Sequence, residues 1–250
     1  DHDQNPGQTG NDKPAVDEVR IEPVANHGQI AASRRRTSLQ RGRDVGRNRL
    51  QIAESDLGRV GLAAIENDLG NAAAARRAVE GEGLQVTASL GLPVDADISS
   101  EDPAIVAAGA ALLDAALEKT AEMGGTHLCG VIYGAMRKHM APCSEAGRAN
   151  SAAAIADLSR KAEGVGVRLA LEVVNRYESN ILNTGRQALA YLDEVGHGWA
   201  GVHLDTYHMN IEESDLFQPF LDAGERLGYV HIGESHRGYL GTGSVDFAST

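Results

Sequence analysis

The sequence predicts an α/β fold in which parallel strands alternate with helices, closed as a (β/α)₈ barrel. Three observations carry this. From about Gln85 onward, short β-rich runs alternate with helix-patterned segments. The strands are apolar on both faces, as expected when helices cover a parallel sheet. Three successive strands also end on metal-ligating or acid–base groups: 169–174 delivers Glu172, 201–205 delivers Asp205 and 229–232 delivers His231. A barrel builds its active site from such C-terminal strand ends, which favours it over the competing doubly wound open sheet. No GxGxxG or GxxxxGK[ST] follows any strand, and this weakens a nucleotide-binding reading.

Each element has its own signal. Residues 72–83 are a helix-like Ala/Arg stretch, and 86–92 are a strand candidate. Ser99-Ser-Glu-Asp-Pro103 opens a helix with a Ser cap, an acidic first turn and an early Pro. That helix runs to Met123 and is stopped by Gly124-Gly125. A strand over 126–133, a helix over 146–164, a strand over 167–174, a helix over 184–195 and a strand over 201–205 follow. Asn210-Ile-Glu-Glu213 is read as the start of a further helix, with Asn210 as cap and Glu213 three residues on. The last clear strand is 229–232. Such repeated βα units make a parallel sheet.

Residues 1–70 form an atypical segment distinct from the barrel portion at 71–250. They hold Arg34-Arg-Arg36 and scattered Gly, Asn and Asp, and no aromatic residue precedes Tyr133. Strands over 19–24 and 49–53 are the only candidates there. The basic triplet is read as a solvated loop, because the net charge of −12 argues against nucleic acid as a partner. No apolar run is long enough to span a bilayer, and the first residues lack the basic and apolar regions of a signal peptide. Two cysteines make no disulfide scaffold. Cys129 lies in an apolar run and reads as a buried small hydrophobe, whereas Cys143 follows Pro142 in a loop. A cytoplasmic, reducing setting is expected.

An ionised Glu172 amid apolar residues needs a partner or a metal, since burying a lone carboxylate costs several kcal/mol, roughly. The plain alternative is a salt bridge to Arg168 or Arg176. Asp205 alone could cap a helix, and His231 alone could be a hydrogen-bonded core residue. Their recurrence at equivalent places in three successive βα units favours a shared site. Two oxygen ligands with one imidazole suit Mn²⁺, Mg²⁺ or Co²⁺ and leave positions for substrate oxygens. Such an ion on two adjacent sugar oxygens would polarise a carbonyl and stabilise an enediolate, with a nearby carboxylate as base.

The stretches Glu172-Val-Val-Asn-Arg-Tyr-Glu178, His203-Leu-Asp-Thr-Tyr-His-Met-Asn-Ile-Glu-Glu213 and His231-Ile-Gly-Glu-Ser-His-Arg237 resemble the ketose 3-epimerases. These are the D-tagatose, D-psicose (allulose) and L-ribulose 3-epimerases, built as xylose isomerase-like TIM barrels. Thr87-Ala-Ser-Leu-Gly-Leu92 and Thr126-His-Leu-Cys-Gly-Val-Ile-Tyr133 are similar to that family's third and fourth strands. The resemblance covers about residues 72–250, so that this portion carries strands three to seven. It implies that Glu172, Asp205 and His231 bind the metal, Mn²⁺ first, and that Glu172 is also a catalytic base. It further implies that Glu178, His208 and Arg237 hold substrate hydroxyls near C1 to C3. As plain alternatives, Glu178 and Arg237 would be surface charges and His208 a helix cap. Gly241-Thr-Gly243 is read only as a turn.

The resemblance thus implies an isomerase that epimerises free ketoses at C3, with a small-molecule ketose as partner, a homo-oligomeric assembly, and no nucleic acid or membrane. Two departures are expected to matter. The family's first two βα units are not recognisable in residues 1–70. Its eighth strand, which carries a fourth ligand Glu roughly thirty-five residues beyond His231, about one βα unit on, does not occur before Thr250. An incomplete barrel, inactive as it stands, is therefore the expectation. The competing readings are an aldose–ketose isomerase or inosose dehydratase of the same superfamily, and a non-catalytic sugar- or metal-binding protein.

Overall fold

A computed structural model of the chain describes residues 30–34, 72–81 and 84–247. Its centre is a six-stranded sheet with strands in sequence order: β1 (Ile30–Arg34), β2 (Leu84–Leu92), β3 (His127–Ala135), β4 (Arg168–Glu172), β5 (Ala200–Asp205) and β6 (Leu227–His231). Strands β2 to β6 pair in parallel, as the βα alternation predicts. Helices α1 (Ala72–Gly81), α2 (Pro103–Glu122), α3 (Glu145–Val165), α4 (Gly185–Val195), α5 (Thr206–Glu212) and α6 (Gln218–Ala223) lie between strands.

Strand order separates the two architectures. A doubly wound sheet reverses its order at a switch point, and none occurs among the described strands. Strands also sit about 4.8 Å apart, so in a flat sheet the side chains of β2 and β6 would be far out of reach of each other. Instead the Thr87 and Tyr229 hydroxyls lie 3.1 Å apart, and the Tyr229 ring meets the ring of His127 on β3 at 5.8 Å. The sheet is therefore curled into part of a barrel wall, with Tyr229 filling its interior.

The helices cover the outer face. Leu113 and Leu117 of α2, Ile155 and Leu158 of α3, and Tyr191 and Leu192 of α4 are buried with the strand residues Leu128, Ile132, Leu169, Leu171, Val202 and Leu204 in one core. Each large aliphatic side chain so buried contributes about 1.5–3 kcal/mol. Buried polar groups are satisfied locally. Ser151 Oγ bonds the Tyr191 hydroxyl and donates to the carbonyl of Tyr133, whose own hydroxyl donates to the carbonyl of Glu172 at 2.7 Å. That last bond ties the end of β4 to β3.

Three local expectations are corrected. Helix α2 is capped by Asp102, which accepts from Ala104 N at 2.8 Å; Ser100 Oγ accepts instead from Asp102 N. Asn210 does not open a helix but lies inside α5, which starts directly after its cap, Asp205, and ends at Glu212. Glu213, read as the capping-box partner, accepts from Gly185 N at 2.7 Å at the start of α4. Within residues 1–70, Ile30–Arg34 joins the sheet as an antiparallel edge against β2, ending on the first arginine of the basic triplet. An edge strand need not be apolar on both faces, so it gives no buried-strand signal. The candidates at 19–24 and 49–53 lie outside the described residues. None of the described helices is long and apolar enough to cross a membrane.

Candidate functional site

Glu172, Asp205 and His231 are the last residues of β4, β5 and β6. Parallel pairing sets Asp205 directly beside His231 and Glu172 beside His203. All three predicted ligands therefore meet at the C-terminal edge of the curled sheet. His231 Nδ1 lies 3.4 Å from Glu172 Oε1 and 3.8 Å from Asp205 Oδ2.

The plain alternative fails for Glu172 and holds for Asp205. Glu172 pairs with neither Arg168 nor Arg176. The Arg168 guanidinium lies on the Trp199 ring and donates to the carbonyl of Gly198, and Arg176 forms a two-pronged pair with Glu212. Glu172 faces imidazoles instead, those of His231 and, at 4.0 Å, His203. Asp205 does cap α5, accepting from Tyr207 N at 2.7 Å through Oδ1, and this leaves Oδ2 facing His231.

The electrostatics follow from burial among opposite and like charges. Burial disfavours an ionised Glu172, yet the imidazoles of His203 and His231 beside it outweigh that and hold the carboxyl at about 2. Asp205 is pushed up to about 6 by burial and by the negative charge of Glu172. His231 is raised, because the nearby carboxylates of Glu172 and Asp205 overcome its burial. Two carboxylates thus draw a proton onto the imidazole between them. A divalent cation would draw the same three groups and displace that proton.

The residues fit such a cation by donor chemistry as well. Two sets have ligand atoms within 4.8 Å of one another, Glu172 with His203 and His231 and Glu172 with Asp205 and His208; neither is the predicted trio as a whole, whose three members are divided between them. His231 Nδ1 and both nitrogens of His203 are buried without a hydrogen-bond partner. Oxygen-rich sets with imidazole are what Mn²⁺ and its neighbours take.

The three predicted substrate residues gather beside this group. The side chains of Glu178 and Arg237 are only 20% and 19% exposed and approach to 3.4 Å, so neither is an ordinary surface charge. His208 lies within α5 and caps nothing. It is buried, and its Nε2 lies 3.4 Å from Arg237 Nη2. Burial presses His208 down to about 4, so its ring is neutral near pH 7.

Sequence reasoning missed four contributors. His203, fully buried on β5, stacks edge-on against His231 with ring centroids 4.2 Å apart. It was absorbed into an apolar run whose alternation it does not break. Tyr207 carries the Arg237 guanidinium 3.8 Å from its ring centroid. Asn175 bonds both His208 and Glu178. Glu234, fully buried, accepts from Ser235 N and Gly241 N at 3.0 and 2.9 Å and so threads the 233–245 loop around one carboxylate. That loop holds Arg237 at φ 56°, the left-handed region that a side chain rarely adopts. Strain of this kind collects at sites where geometry is imposed.

The Gly241–Gly243 stretch is a turn, as read, with Gly241 at φ 78°. Cys129 is buried, and burial also raises the thiol of Cys143, so neither is an activated nucleophile.

Residues 50–250 match the xylose isomerase-like TIM barrel family, a span that starts ahead of the stretch read from motifs. The chain is 61% identical over 220 residues to a ketose 3-epimerase of Arthrobacter globiformis, covering 88% of this chain and 73% of the relative. It is 54% identical over 179 residues to an L-ribulose 3-epimerase of Methylomonas sp., covering 72% of this chain and 63% of the relative. Among solved structures, a D-allulose 3-epimerase from Methylomonas sp. in complex with D-allulose superposes with a TM-score of 0.70 at 54% identity. It covers 72% of this chain and 62% of that one.

Proposed function

Because the chain belongs to the ketose 3-epimerases of the xylose isomerase-like TIM barrel family, we propose that it serves metal-dependent epimerisation of a free ketose at C3. The substrate is of the fructose/allulose, tagatose or ribulose type. The single observation that carries this reading is the meeting of two carboxylates and an imidazole from three consecutive strand ends, with His231 3.4 and 3.8 Å from Glu172 and Asp205. A catalytic reading also fits the buried Glu178 Oε2, which has no hydrogen-bond partner and so is ready for a substrate hydroxyl.

Glu172, Asp205 and His231 would hold the ion, Mn²⁺ first and Mg²⁺ or Co²⁺ as alternatives. When bound, it supplies positive charge that polarises the ketose carbonyl and stabilises the negative charge left as C3 loses its proton. Glu172 is ionised near neutrality and accepts that proton. Glu178 accepts from a substrate hydroxyl, and Arg237 and His208 present N–H groups to its oxygens, fixing the C1–C3 end in place.

Deuterium incorporation decides the matter. With Mn²⁺ and D-fructose in D₂O, deuterium should enter at C3 of the ketose, a step that needs only the one base; inversion to allulose also needs a proton donor on the opposite face of C3. Deuterium at C1 with an aldose product would make the protein an aldose–ketose isomerase. Bound metal without exchange in any ketose would make it a binding protein. Asp205→Ala should lose the metal, and equal metal content in both proteins would remove Asp205 from the ligand set.

A further inference from the structure

The neighbourhood of His208 settles more than its position. Its Nδ1 receives two donors from one residue: the backbone N–H of Asn175 at 3.0 Å and the side-chain Nδ2 of Asn175 at 2.8 Å. A backbone N–H can only donate, so Nδ1 must accept. The Asn175 amide is itself fixed in orientation. Its Oδ1 accepts from Tyr177 N at 2.9 Å, and its Nδ2 also reaches Glu178 Oε1 at 3.2 Å. Turning the amide over would set an oxygen against that carboxylate and an NH₂ against a backbone N–H. Asn175 is 2% exposed, so water does not offer an alternative.

We infer that Asn175 is a positioning residue that locks His208 as the Nε2–H tautomer, making His208 a hydrogen-bond donor, and not a base, toward the sugar. The proton then sits on the nitrogen that faces Arg237 Nη2 at 3.4 Å. Arginine cannot accept, so the two groups do not bond each other; both offer hydrogens to the same space. Beside them Glu178 Oε1 is held by Asn175, and Oε2 is free to accept. One amide side chain therefore sorts the pocket into two donors and one acceptor. Two donors converging on one point suit an oxygen that gains negative charge, such as the carbonyl oxygen of a ketose as the neighbouring carbon is deprotonated. That consequence rests on the ketose reading above, whereas the tautomer does not.

The test uses ¹⁵N-histidine labelling of the whole chain, with His208→Gln to pick out the His208 signals among nine histidines. Near neutral pH, without sugar, Nε2 should show a pyrrole-like shift and Nδ1 a pyridine-like shift displaced by hydrogen bonding. A pyrrole-like Nδ1, or both nitrogens protonated, overturns the inference. Asn175→Asp replaces the side-chain donor with an acceptor and should move Nδ1 toward the protonated shift; an unmoved Nδ1 overturns the side chain's role. If that variant does not fold, Asn175→Ala serves. It keeps the backbone donor alone, and Nδ1 should shift toward the unbonded pyridine position, with no shift again counting against the proposal. None of these readouts needs turnover. A protein that fails to exchange C3 yet shows the Nε2–H tautomer would refute the ketose reading and leave this one standing.

Discussion

Strands β2 and β3 and strands β4 to β6 are built alike, yet they end differently. All five pair in parallel, and the helices that link them share one core. Strand β3 is buried from Leu128 to Ala135 and passes straight into Met136, and β2 ends on Leu92, with Pro93 next. Neither delivers a titratable group at its end. Strands β4, β5 and β6 deliver Glu172, Asp205 and His231, and β5 adds His203. The fold therefore does not require polar strand ends; β3 shows what the same unit does without them. Burying a carboxylate costs free energy unless it is paired or coordinated. The half that gathers two carboxylates and two imidazoles at its strand ends is the half to which the proposed chemistry belongs.

The largest effect should come from breaking the polar half at its centre. Glu172→Gln removes the group that faces both His203 and His231, the base proposed for C3. Loss of a positioned base lowers the rate by about 10²–10⁴-fold, so deuterium exchange at C3 of D-fructose should fall by that much. Near-normal exchange in the variant would show that the strand ends differ for some other reason.

A smaller effect should follow from removing a group that holds and does not react. Arg237→Ala takes away the guanidinium that lies over Tyr207 and reaches Glu178. A hydrogen bond to a charged group contributes about 1.5–3 kcal/mol, and at 1.4 kcal/mol per decade this is about a 10- to 100-fold rise in KM. Loss of an interaction made equally to ground and transition states leaves kcat little changed. A drop in kcat with KM unmoved would place Arg237 in the reaction itself.

The contrast between the halves was partly legible in the residues alone. A carboxylate inside Leu169–Leu171 and Val173–Val174 breaks an apolar run conspicuously, and the same disturbance recurs at Asp205 and His231. His203 causes no such break, because a neutral imidazole with its value pressed to about 3 by burial behaves as a core ring. Asn175 and Glu234 act through hydrogen bonds across loops, which leave no spacing to read. Helix α5 was misplaced for a related reason. Its start is set by Asp205 acting as both cap and site residue, while Asn210 and Glu213 imitate a capping box by chance of spacing. The α2 cap was misread because Ser99, Ser100 and Asp102 are all good cap types, and only the backbone geometry chooses among them.

The smallest effect is the one that sharpens the comparison, because it perturbs the half without chemistry. Ile132 is fully buried in the middle of β3, packed with the core under α2 and α3. Ile132→Val removes one methylene without adding a polar atom or changing the β-branched shape that suits a strand. The expected destabilisation is about 0.5–1.5 kcal/mol, read as a lowering of Tm by about 1–6 °C in a chain of this size. Metal content per protein and C3 exchange measured well below Tm should match the parent, since β3 supplies the wall and no ligand. The two halves are joined by the bond from the Tyr133 hydroxyl to the carbonyl of Glu172, so the result is not guaranteed by distance. If Ile132→Val lowers metal content as Asp205→Ala is expected to, the strand ends of β4 to β6 depend on how β3 packs. The division between a structural half and a chemical half would then be false.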